Sequence, residues 1–126
     1  MDKTKIFIPG NVPSSKNSKQ WTGKFLVMSD TCKRYIKTSE MEYKIKRNKF
    51  MELLQGKEKP YRIGFYFIRD SRRKFDYINA AQLPLDLMQK YGWLEDDDCH
   101  NVIPVFLGYE VDKAKTGMVI NILDNC

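Results

Sequence analysis

The chain has few of the residues that brace a fold by covalent or metal links. It has 126 residues, with three cysteines and a single histidine. Cys32, Cys99 and Cys126 are odd in number and none sits in a C-x-x-C pair, so neither a disulfide framework nor a structural zinc site is expected. Cys99-His100 follows a run of acids, but zinc takes about four ligands and there is no second histidine. A plain buried or edge cysteine is the expectation for Cys99. Long hydrophobic runs are also missing, and none approaches the ~20 residues that span a bilayer. Only a short apolar patch follows Met1-Asp2-Lys3-Thr4-Lys5, so no signal peptide and no membrane partner are expected, and a cytoplasmic location is the default. There is no internal repeat and no low-complexity linker. At this length the expectation is one domain, residues 1–126.

What is present is enough for a core. The chain is 42% hydrophobic and 13% aromatic, unlike a disordered polymer. Its net charge of +6 conceals a sharp division. Residues 1–74 hold 19 Lys and Arg against 7 Asp and Glu, a balance of +12. Residues 75–126 hold 3 against 9, a balance of −6. Such asymmetry suggests a polyanionic partner for the basic part, and a cation would reconcile the acids with it. The plainer alternative is two solvated faces of an ordinary domain.

Hydrophobic patterning predicts strands at Lys5–Ile8, Lys24–Met28, Tyr61–Ile68, Val102–Leu107 and Met118–Leu123. The last two read as a hairpin, with Pro104 marking an edge strand. Residues 38–55 read as a helix capped by Thr38 or Ser39, with Glu42 at capping-box spacing and Met41, Ile45, Phe50, Leu53 and Leu54 on its apolar face. Residues 77–91 read as a second helix burying Ile78, Ala81, Leu85 and Met88. Pro84 suggests that its regular part begins near Gln82. The class is α/β (α+β): one mixed sheet of about four to five strands with two helices. Lys16 and Asn17 fall in a polar loop, and Lys33-Arg34 in the stretch before the first helix.

The chemistry concentrates where the charge changes sign. Arg72-Arg73-Lys74 precedes Asp76, whose ordinary role is to cap the second helix. Glu95, Asp96, Asp97 and Asp98 follow that helix. Adjacent carboxylates repel in water, and a divalent cation converts the repulsion to binding. A helix over about 80–90 runs roughly 16 Å. An extended return from Gly92 to Asp97 covers about 17 Å, which would carry Asp97 back beside Asp76. Two carboxylates holding Mg²⁺ against a phosphate, with basic residues on the strand, would suit phosphodiester hydrolysis.

The block Arg72-Arg73-Lys74-Phe75-Asp76-Tyr77-Ile78-Asn79, followed by Gly92-Trp93-Leu94-Glu95-Asp96-Asp97, resembles the RusA family of Holliday junction resolvases. The Pro13-Ser14-Ser15-Lys16-Asn17 segment is similar to that family's N-terminal region. The resemblance runs from about Ile6 to Leu123. It implies a RusA-like fold and a homodimeric, Mg²⁺-dependent endodeoxyribonuclease (with Mn²⁺ as a substitute) that cuts four-way DNA junctions in recombination and repair, in a bacterial or phage-infected cell. It implies catalytic and metal-binding roles for Asp76 and Asp97, with Asp96 alongside. It implies DNA contacts from Asn79, and the same part suits Lys16, Asn17, Lys33, Arg34, Arg72, Arg73 and Lys74. The family's second aspartate falls on Ile78 and its lysine on Gln82. The alternative is a junction- or branched-DNA-binding protein of the same fold with a weakened site.

Overall fold

The computed structural model describes residues 4–14, 19–21 and 26–124. Lys16 and Asn17 lie outside the described residues. The fold is α+β, with one mixed four-stranded sheet and two helices. Strand β1 is Lys5–Pro9, β2 Lys19–Trp21 and β3 Leu26–Met28; helix α1 is Asp30–Leu54. Strand β4 is Tyr61–Arg69, helix α2 Tyr77–Lys90, β5 Val102–Val111 and β6 Gly117–Leu123. The main sheet runs β1-β6-β4-β5, and β2 pairs with β3 as a separate ribbon.

The last two strands do not form the expected hairpin. Strand β6 inserts between β1 and β4, antiparallel to both, whereas β5 lies parallel to β4 at the edge. A parallel pair needs a crossover, and α2 supplies it. The cause is the composition of β6: Met118 and Ile120 are fully buried and need a neighbour on each side, while β5 exposes Ile103, Leu107, Tyr109 and Val111. Pro104, which cannot donate to a ladder, sits on this edge strand as expected.

Helix α1 begins eight residues before its expected start at residue 38. Ser29 is its N-cap and accepts from the Cys32 amide at 3.3 Å, so the capping box at Ser39 and Glu42 is not the start. Ser39 is buried and donates to the Tyr35 carbonyl at 2.6 Å. The buried stripe is Cys32, Tyr35, Ser39, Tyr43, Phe50 and Leu54. Met41 and Ile45, expected on it, are 60% and 64% exposed. The stripe is carried by tyrosines whose hydroxyls satisfy each other at 3.1 Å, a pairing that apolar periodicity does not register.

Helix α2 runs unbroken through Pro84. The lost amide costs a bond toward Ala80, but the proline ring and Ala80 are both buried in the core. Trp93 closes the core after α2, donating from Nε1 to the Tyr43 carbonyl at 2.8 Å and packing on Phe50 at 4.7 Å between ring centres. Cys32 is buried and Cys99 exposed. No helix among the described residues is long and apolar enough to cross a membrane.

Candidate nucleic-acid interface and acidic residues

Strand β4 and helix α2 place the charge reversal at one end of the sheet. The connector 70–76 leaves the C-terminal end of β4 and enters the N-terminus of α2. That end of a strand–helix unit presents free amides and the positive end of the helix dipole, a natural place for an anion. An open pocket of about 430 Å³ lies here, lined by Arg72, Arg73, Lys74, Asp76 and Asn79 with Ser14 and three aromatic residues. Five of the residues singled out in the sequence therefore come together. Arg72, Arg73, Lys74 and Asp76 are exposed.

Asp76 holds the N-cap position, but no hydrogen bond from its side chain caps the helix. An aspartate there ordinarily does so, for about 1 kcal/mol. Its Oδ2 instead accepts from Asn79 Nδ2 at 3.1 Å. The pair keeps one carboxylate oriented in the pocket rather than folded back onto the helix.

Asp96 and Asp97 do not reach this pocket within one chain. The segment after α2 turns instead of extending: the Trp93 amide donates to Met88 O at 2.7 Å, and the Asn101 and Val102 amides both donate to Asp98 O at 3.1 Å. Glu95 pairs with Lys59 at 3.1 Å, just ahead of β4. Val102 opens β5 opposite Tyr61, the first residue of β4. The acids thus sit at the N-terminal end of the β4–β5 pair, and Asp76 near the level of Tyr109. About six strand residues separate those levels, or roughly 20 Å. The extended return to Asp76 is prevented because Trp93 is anchored in the core.

Glu95, Asp96 and Asp98 of that second cluster have local roles. Asp96 Oδ1 accepts from the Asp97 amide at 2.7 Å. Asp98 Oδ1 accepts from Asn101 Nδ2 at 2.8 Å and from the His100 amide at 3.1 Å. The Asn101 bond, above all, lowers the Asp98 pKa. Asp97 is exposed. Among the described residues no group of three or more His, Cys, Asp or Glu is arranged to hold a metal.

Lys33 and Arg34 are exposed on the first turns of α1 and do not line the pocket. Ile78, expected in the core, is 71% exposed beside the pocket, and Gln82 is exposed one turn on. The residue that sequence reasoning missed is Arg69. The expected strand stops at Ile68, one residue short of it, but Arg69 is the last residue of β4 and only 6% exposed. Its Nη1 donates to Val12 O at 2.6 Å and its Nη2 to Ser14 Oγ at 3.3 Å. Its guanidinium lies 4.5 Å from the centre of the Phe75 ring. It anchors two walls of the pocket from behind. The period-2 pattern of β4, continued one residue past Ile68, was the available signal.

The chain matches no family model, and no protein of curated function matches it.

Proposed function

We propose that the chain is a Mg²⁺-dependent endodeoxyribonuclease acting on four-way or other branched DNA, working as a homodimer. The observation that carries this reading is Asp76: a carboxylate at a helix N-cap that does not cap, placed in an open pocket with Arg72, Arg73 and Lys74. The cations suit backbone phosphate, and a divalent cation would join the carboxylate, held by Asn79, to that phosphate.

The donors suit Mg²⁺ in kind. Asp76, Asp96 and Asp97 offer oxygens, and Mg²⁺ needs only one or two carboxylates, with water and phosphate completing its shell. One chain presents Asp76 at one end of the sheet and Asp96 with Asp97 at the other. A site that uses both ends would need two chains, which is why the proposal includes a homodimer. When bound, the ion supplies an activated water and charge neutralisation at the phosphate. The chain's own residues do the rest. Arg72, Arg73 and Lys74 hold the backbone, and Asn79 keeps Asp76 oriented.

The test is cleavage of a synthetic four-way junction with Mg²⁺ or Mn²⁺. Asp76→Asn and Asp97→Asn should each abolish it. Mixing the two inactive variants should restore part of it if the ends combine across a dimer. Activity that survives both substitutions would sink the proposal. A second reading, binding without cutting, is favoured by exposed Ile78 and Gln82, which bring no charge to the pocket. Junction binding with no metal-dependent nicking by the wild-type chain would establish it.

A further inference from the structure

The pocket has a feature that phosphate binding leaves unused: its walls are aromatic. Phe75, Tyr77 and Tyr109 line it together with the three cations. Their rings are fixed by one another. Phe75 stands perpendicular to Tyr109, with centres 5.0 Å apart, and at 73° to Tyr77 at 5.1 Å. Tyr77 stacks on Phe106 at 5.5 Å and 19°. Phe67, fully buried, forms the base of the cluster, and the Arg69 guanidinium covers Phe75 from behind. Tyr109 remains 43% exposed on the edge strand.

An exposed, rigid aromatic wall beside a row of cations is badly matched to intact duplex. In a duplex the base faces are buried in the stack and only the backbone and groove edges are offered. An unpaired nucleotide offers both parts: a base face to stack and a phosphate to neutralise. We propose that this pocket takes an unpaired nucleotide of a DNA strand, its base against the Tyr109–Phe75 wall and its phosphate on Arg72, Arg73 and Lys74. This rests on the DNA-binding reading above and narrows it to single-stranded segments or unpaired bases at a branch. Arg69 is a positioning residue here, because it touches Phe75 and Ser14 and is not itself among the lining residues.

The experiment measures binding without divalent ions. The probes are a short single strand carrying 2-aminopurine, the matched blunt duplex, and a four-way junction. The single strand should bind wild type about tenfold more tightly than the duplex, with 2-aminopurine fluorescence quenched, since one base–aromatic stack is worth about that factor or more. Tyr109→Ala should lose roughly that factor for the single strand at an unchanged salt slope, and Tyr109→Phe should keep it. Arg72→Gln should instead lower the salt slope by about one. Absence of quenching with wild type, or equal affinity of wild type and a folded Tyr109→Ala for the single strand, overturns the inference. If junction and duplex are still bound in that case, the nuclease reading stands. If no DNA of any form is bound, that reading falls as well.

Discussion

Replacing Arg69 by methionine tests whether a buried guanidinium stabilises this fold or merely tolerates its place. Arg69 makes a 2.6 Å bond to Val12 O, a longer 3.3 Å bond to Ser14 Oγ, and a stack on Phe75. A short charge-assisted bond contributes about 2 kcal/mol and a long one about 0.5. The cation–π contact adds about 1. Against these stands the burial of a charge whose Nε has no hydrogen-bond partner among the described residues. Burial pushes the Arg69 pKa down, the direction of a charge that pays for desolvation, and the nearby Asp70 only partly offsets it. Leaving that Nε donor unpaired costs about 1–2 kcal/mol. Methionine fills similar space without the charge, so Arg69→Met should destabilise by about 2 kcal/mol. For a domain of this size the melting midpoint should fall by roughly 8 °C. The assay is urea and thermal unfolding followed by circular dichroism. Arg69→Lys, with charge and stem but no fork, should fall between wild type and Arg69→Met. A methionine variant as stable as wild type would refute the reasoning, because desolvation would then outweigh both bonds and the stack. A folded Arg69→Met should also bind DNA more weakly at the same salt slope, since it frees Ser14 and Phe75 without removing a phosphate contact.

Other outcomes follow from the same geometry. Asp76→Ala should change stability by less than about 0.5 kcal/mol in urea titration, because the carboxylate makes no cap bond; a loss of 1 kcal/mol or more would mean that it does cap the helix. Trp93→Ala should cost about 3–5 kcal/mol, read from the same titration, since the indole is 2% exposed, packs on Phe50 and donates to Tyr43 O. Stability should decline above pH 10. Burial raises the Tyr35 pKa to about 12 and pushes Tyr43 up as well, so the unfolded chain loses these protons first. The stabilisation they give is complete below about pH 10 and is lost as pH rises toward 12. Urea midpoints at pH 9 and pH 11 check the sign, and Tyr35→Phe should flatten the fall.

Local pattern accounts for much of the architecture. The alternation and aromatic content of Tyr61–Ile68 mark β4, and the run from Tyr77 to Tyr91 marks the extent of α2, although Pro84 pointed to a regular start near Gln82 and the helix begins at Tyr77. The mixed sheet with two helices follows from the order of these elements. The switch from basic to acidic composition, at Lys74 and Asp76, lies in the pocket that the fold forms. These features are legible because each depends on residues close in the chain: strand period, helix period, a charged connector.

What the tertiary structure alone decided depends on residues far apart. Trp93 is held by Tyr43, fifty positions away, and that anchor turns the following acids toward Lys59 and away from Asp76. Arg69 meets Val12 and Ser14 more than fifty positions away, which converts an apparent surface cation into a buried clamp. Ile78 has the spacing of a core residue, yet α2 presents Ala80, Ala81, Leu83, Pro84, Leu87 and Met88 to the core and leaves Ile78 outside. Strand β6 pairs with β1 and β4 because its apolar side chains need cover on both flanks, an energetic demand that no local pattern expresses. Sequence placed the cations and the first carboxylate together; long-range packing set the remaining acids at the far end of the sheet.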